Sequence, residues 1–110
     1  MTIYENYNLK EHNTFNLNVN CEQYIIIESK EDLVNLFESE VFNSKHIILG
    51  GGSNILFRSD FDGIIFYPNL RGFEKVNYNE NQTLVKAYSG ELWHDLVKYC
   101  VDNGLSGIEN

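Results

Sequence analysis

Residues 46–57 read His-Ile-Ile-Leu-Gly-Gly-Gly-Ser-Asn-Ile-Leu-Phe, and no other run constrains the fold as tightly. A short apolar stretch predicts a strand, three glycines end it, two small polar residues follow, and a second apolar run resumes. Gly50, Gly51 and Gly52 lack Cβ atoms and reach positive φ freely, where an L-residue loses about 1–2 kcal/mol. All three are therefore expected to turn their N–H groups into one concavity, with Ser53 and Asn54 adding side-chain donors. A hydrogen bond to a charged oxygen contributes about 1.5–3 kcal/mol net, so four or five converging donors hold an anion without a lysine. By spacing alone, such a triplet fits a plain loop equally well.

The neighbours exclude two commoner phosphate loops. A Walker loop requires Lys-Ser or Lys-Thr after its last glycine and then a helix, whereas Ser53 leads into Asn54, Ile55, Leu56 and Phe57, with turn residues at Asp60, Asp62 and Gly63. A dinucleotide fingerprint opens a helix inside its glycine run, and none is signalled here.

The 110 residues suit one domain, and 43% hydrophobic with 14% aromatic content supplies a core. Sixteen acidic against eight basic residues leave a formal charge of -8, which argues against DNA, RNA or anionic lipid as partners. The basic residues are scattered, although Arg58 and Arg71 lie near enough in sequence to the glycines to offset acidic surroundings. Cys21 and Cys100 have no metal-ligand spacing and are expected to be reduced, partly buried thiols. No apolar run approaches the roughly 18 residues of a membrane span, and residues 1–13 carry no export-signal pattern, so a cytoplasmic location is expected.

Residues 24–28 are rich in β-formers, and Ser29 with Asp32 three positions later predicts a capped helix whose apolar stripe is Leu33, Leu36, Phe37 and Val41. A strand at 46–49 completes a βαβ unit with the glycines at its carboxyl end, the edge where ligands bind such sheets. Strands follow at 64–67, 73–78 and 83–88, the last two joined by a hairpin turn at 79–82. A final helix is expected over 91–103, capped by Ser89 or Gly90 and stopped by Gly104, with Leu92, Trp93, Leu96, Val97, Cys100 and Val101 on one face. That periodicity makes Trp93 a core residue rather than a ring stacked on a ligand. Glu91, His94 and Asp95 read as a solvated face rather than a metal site. His12 and His46 have no partner at catalytic spacing, and Tyr4, Tyr7 and Tyr24 are expected to pack over the sheet.

Four separated segments together resemble the N-terminal part of the MurB family, the UDP-N-acetylenolpyruvoylglucosamine reductases. They are Leu-Gly-Gly-Gly-Ser-Asn-Ile-Leu-Phe at 49–57, Phe-Asp-Gly at 61–63, Ser-Gly-Glu-Leu-Trp-His-Asp-Leu-Val at 89–97 and Gly-Leu-Ser-Gly-Ile-Glu-Asn at 104–110, and Asn13-Thr14-Phe15 matches an early family motif. The resemblance implies an α+β fold, the FAD-binding fold of the vanillyl-alcohol oxidase or PCMH type, of which residues 1–110 would be the N-terminal portion: a βαβ unit, a β-rich segment and a helix. It implies an oxidoreductase of peptidoglycan precursor synthesis in which NADPH reduces FAD, and the reduced flavin passes hydride to the enolpyruvyl group of a UDP-sugar. The family's catalytic serine, arginine and glutamate and its substrate domain match nothing before Asn110, so this stretch alone is expected to bind FAD weakly and not to turn over. By the same match, Gly50, Gly51, Gly52, Ser53 and Asn54 would cradle the FAD diphosphate. Leu49 and Ile55 would be backbone or packing contacts, and Thr14, Phe15, Gly107, Ile108 and Glu109 would approach the cofactor. Two other readings stand beside this one. Another flavin oxidase of the fold would often attach its flavin through a histidine by the glycine loop, and Ser53 and Asn54 supply none; a stand-alone nucleotide- or protein-binding module would not require FAD.

Overall fold

Tyr24-Ile-Ile-Ile and Ile64-Ile-Phe are apolar without interruption, the pattern of strands covered on both faces. In the computed structural model, which describes residues 1–109, they form the centre of a four-stranded sheet. The elements in chain order are β1 (Thr2–Asn8), β2 (Asn20–Ile27), α1 (Lys30–Glu38), β3 (His46–Ile48), β4 (Phe61–Pro68), β5 (Phe73–Asn77), β6 (Thr83–Ala87) and α2 (Trp93–Asp102). The chain divides into two compact units, Met1–Asn69 and a second beginning at Leu70. Asn110, which closes the last of the motifs above, lies outside the described residues.

The first unit holds the sheet in the order β1-β2-β4-β3. Strands β2 and β3 both run parallel to β4, which lies between them, and β1 pairs antiparallel with β2. The expected βαβ unit is therefore present with its two strands one place apart, because β4 inserts into the gap. Alternate residues of the central strands serve separate clusters. Ile25, Ile27, Ile64 and Phe66 pack with Leu36 of α1 and with Val41 and Phe42, while Tyr24 and Ile65 pack on the other face with Leu9, Val19, Cys21, Leu49 and Phe57.

Ser29 caps α1 as its sequence predicts: the Asp32 N–H donates to Ser29 Oγ at 3.0 Å, and the Asp32 carboxylate accepts from the Glu28 N–H at 2.9 Å. That backbone donor, helped by the nearby N-terminal ammonium, holds the Asp32 carboxyl below the usual carboxylate range. The apolar stripe is narrower than expected. Only Leu36 of the helix is buried, Phe37 is 75% exposed, and Val41 packs on the same cluster from beyond the end of α1 at Glu38.

Strand β1 carries no alternation that marks it. Asn6 takes φ +49 in mid-strand, which lets Tyr4 and Tyr7, three apart, share a face and stack at 4.8 Å. Tyr7 stacks in turn on Tyr24 at 4.7 Å, so the expected packing of these tyrosines is found on an extra edge strand.

The second unit is a β5–β6 antiparallel hairpin and α2, with Phe73 stacked on Tyr99 at 4.8 Å. Asn79 Oδ1 accepts from the Asn81 N–H at 2.8 Å and shapes the turn. Helix α2 begins at Trp93 rather than at Glu91, and the residue at its N-cap is Leu92, with no side-chain capping bond, rather than Ser89 or Gly90. Its end follows expectation: Gly104 at φ +69 lets its N–H reach Val101 O (3.0 Å) and the Leu105 N–H reach Cys100 O (2.8 Å), a Schellman closure. Cys100 is the one buried residue of α2, and Trp93 is 62% exposed, which corrects its expected place in the core. Both cysteines are free and buried. Among the described residues, no helix is long and apolar enough to cross a membrane.

Candidate functional site

The connection from β3 to β4 is anchored at both ends and open in the middle. Leu49 extends the β3 ladder, its N–H donating to Phe66 O at 2.8 Å, and its side chain is buried with Phe57 in the cluster around Ile65. Ile55 packs against the same cluster, so Leu49 and Ile55 hold the loop down rather than facing outward. Between them Gly50, Gly51, Ser53 and Asn54 are exposed and Gly52 is buried.

The three glycines divide into two kinds. Only Gly52 takes positive φ (+74), and a Cβ there would sit 2.0 Å from the His12 carbonyl oxygen and 2.8 Å from Asn13 Cα. Gly50 and Gly51 are outside the left-handed region, and a Cβ on either would meet nothing within 4 Å. The expectation of three residues at positive φ is thus corrected: one glycine permits close backbone contact, and the other two leave their main chain bare beside open space.

Thr14 comes to this loop through its main chain, its N–H donating to Gly52 O at 3.1 Å. The turn that presents it is organised by Asn13, 4% exposed, whose Nδ2 donates to Leu9 O (2.7 Å) and Leu17 O (3.2 Å) while its Oδ1 accepts from the Leu17 N–H (3.0 Å). Phe15, next in the turn, is 60% exposed.

His12, unpaired by sequence spacing, has two partners. Its ring lies between the Tyr7 hydroxyl, 3.1 Å from Nε2, and the Tyr24 hydroxyl, 3.4 Å from Nδ1. Burial pushes both phenols and the neighbouring Cys21 thiol above their ordinary values, which favours their protonated forms at neutral pH. Sequence spacing does not show this cluster, because β1, which brings Tyr7 to it, has its alternation broken at Asn6. The signal available was the recurrence of tyrosine at 4, 7 and 24.

Gly107, Ile108 and Glu109 belong to the second unit. Gly107, at φ +123 with open space where a Cβ would be, donates its N–H to the Glu109 carboxylate at 2.5 Å. Backbone donors of Glu109 itself and of Gly107 hold that carboxyl below its ordinary range. Ile108 lines an open cleft of about 630 Å³ with Tyr78, Leu84, Trp93, Leu96 and Leu105.

The remaining candidates serve structure. Arg71, considered above as an offset to acidic surroundings of the glycine loop, lies in the second unit and pairs with Glu91 at 3.7 Å. Glu91 precedes α2 and accepts from the Gly72 N–H at 2.7 Å, so it does not share a helical face with His94 and Asp95. Among the described residues no group of three His, Cys, Asp or Glu is placed to hold a metal ion.

No protein-family model matches the chain. It is 37% identical along its whole length to a UDP-N-acetylenolpyruvoylglucosamine reductase of Flavobacterium johnsoniae, and 36% identical to reductases of the same name from Amoebophilus asiaticus and Vibrio parahaemolyticus. The chain spans about a third of the length of these relatives. Among solved structures, the crystal structure of UDP-N-acetylenolpyruvylglucosamine reductase (MurB) from Thermus caldophilus superposes over 98% of this chain and 35% of its own, with a TM-score of 0.63 and 23% identity. The chain therefore has the fold of the corresponding part of that reductase.

Proposed function

We propose that this chain is an FAD-binding portion of a UDP-N-acetylenolpyruvoylglucosamine reductase, with the loop at residues 50–54 holding the diphosphate of the cofactor. The observation that carries the reading is the pair Gly50 and Gly51, exposed and with open space wherever a Cβ would stand, set in a chain similar from end to end to reductases of that name. A main chain with no side chains over it lets phosphate oxygens reach the amides directly, and Ser53 and Asn54, exposed beside it, bring further donors. Leu49, Ile55 and Phe57 hold the loop against the sheet so that its amides need not be ordered by the ligand. Thr14 and Phe15 flank the cradle, the first braced on Gly52 and the second exposed for contact with an aromatic ring. Gly107, Ile108 and Glu109 would add a second cofactor contact.

FAD, when bound, supplies hydride transfer, taking it from NADPH and giving it to the enolpyruvyl group of a UDP-sugar in peptidoglycan precursor synthesis. This chain's own contribution is to bind and orient the cofactor. Relatives of about three times this length carry the name of the reductase, so we assign the reaction and the sugar substrate to a whole reductase working in the cytoplasm and not to these residues alone. The test is titration of the 110-residue chain with FAD, read by flavin fluorescence. Quenching that Gly51→Val abolishes, without NADPH oxidation, supports the reading; quenching indifferent to Gly51→Val removes the loop from it, and turnover by this chain contradicts the division of labour.

A further inference from the structure

We propose that Asn13 is a positioning residue for the glycine loop, fixing through the Thr14 amide the direction in which the Ser53 N–H points. The inference rests on the diphosphate-binding reading and adds what aims the donors. The Gly52–Ser53 peptide is trans, as are all those described, so its C=O and N–H point to opposite sides. The Thr14 N–H takes the Gly52 carbonyl at 3.1 Å, which turns the Ser53 N–H away from residues 12–14. The two segments approach closely, since a Cβ on Gly52 would overlap the His12 carbonyl.

What fixes residues 12–14 is Asn13. Its buried amide ties Leu9 and Leu17 together by three hydrogen bonds, and Asn16, at φ +53, closes the turn onto Asn13 O at 3.1 Å. His12 is held from the other side by the hydroxyls of Tyr7 and Tyr24. Removing the Asn13 amide takes one of two donors from each of the Leu9 and Leu17 carbonyls, which keep the His12 N–H (2.9 Å) and the Val19 N–H (3.1 Å), leaves the Leu17 N–H without its acceptor, and loosens the turn that holds Thr14 on Gly52. The Ser53 amide then samples several directions, and an anion must order it on binding. Thr14 thus acts on the loop through its backbone N–H.

The experiment is amide NMR on the unmodified chain and on Asn13→Ala and Thr14→Ala, without ligand and titrated with ADP as the diphosphate probe. In the unmodified chain, Thr14 N–H is expected to exchange at least about tenfold more slowly than Phe15 N–H and to show coupling across its hydrogen bond to Gly52. Asn13→Ala should erase that protection, move the Gly52 and Ser53 signals and weaken ADP about tenfold, while Ile65 and Phe66 amides stay protected. The residue-14 amide should stay protected in Thr14→Ala, because the contact to Gly52 is made by the main chain. A freely exchanging Thr14 amide in the unmodified chain overturns the proposal even where Asn13→Ala does not fold. So does Asn13→Ala with unchanged Ser53 signals and ADP affinity. A chain that protects Thr14 yet shows no ADP response overturns the ligand reading and leaves the positioning contact standing.

Discussion

The first unit closes around two buried clusters, whereas in the second only Cys100 is buried among apolar side chains. Both are built from sequence with clear periodicity, and α2 has the broader apolar stripe of the two helices. The difference lies in what stands opposite. The apolar residues at the centre of β2 and β4 pack on one sheet face or the other, while in the second unit Leu84 and Trp93, which line the cleft, and Leu92 and Val101 remain more than half exposed. Stability is thus concentrated in the unit that carries the glycine loop, and that loop can be altered at its open glycines without touching what holds the unit together.

The largest test of this contrast is a pair of truncations. Phe66→Ala, at a fully buried site, should cost about 3–5 kcal/mol in chemical denaturation, and Trp93→Ala under about 1 kcal/mol. Trp93 proving the costlier would move the core of the molecule to the second unit. Within the loop, Gly52→Ala should lose about 1–2 kcal/mol to left-handed strain, with more from collision with the His12 carbonyl. Gly51→Ala should leave the melting temperature where it was, and equal losses at the two positions would erase the distinction between them.

The helix caps sharpen the contrast on a smaller scale. Ser29→Ala should cost α1 about 1 kcal/mol, whereas Leu92→Ser should gain α2 up to about 1 kcal/mol by supplying the cap it lacks. Smallest is the acid response of Asp32. Its folded value is lowered by the Glu28 N–H, so its contribution is present above the ordinary carboxylate range and is lost as pH falls through the folded value. An Asp32→Asn chain should show a shallower loss of stability on acidification; an identical acid limb would mean that the hydrogen bond carries no linkage.

Much of this fold is legible in the sequence where the signal is local. Ser29 and Gly104 mark helix ends because a hydroxyl and a missing Cβ act within one turn, and Asn79 shapes its hairpin for the same reason. The place of β4 between β2 and β3 is not legible, since pairing order depends on contacts far apart in the chain. Strand β1 escapes because Asn6 breaks its alternation, and Trp93 misleads because periodicity shows a face and not what covers it. At the candidate site the glycine triplet stands out at once, but its members are chemically identical in the sequence. Only the approach of His12 and Asn13, remote in the chain, separates Gly52 from Gly50 and Gly51.

The central claim is that the main chain at 50–54 receives the diphosphate of FAD, and an amide map of the chain titrated with FAD tests it most directly. With the diphosphate seated there, the Gly50, Gly51, Ser53 and Asn54 amides are expected to shift furthest while the buried strands stay still. Shifts gathered around the cleft of Trp93 and Leu84, with residues 50–54 unmoved, would contradict it.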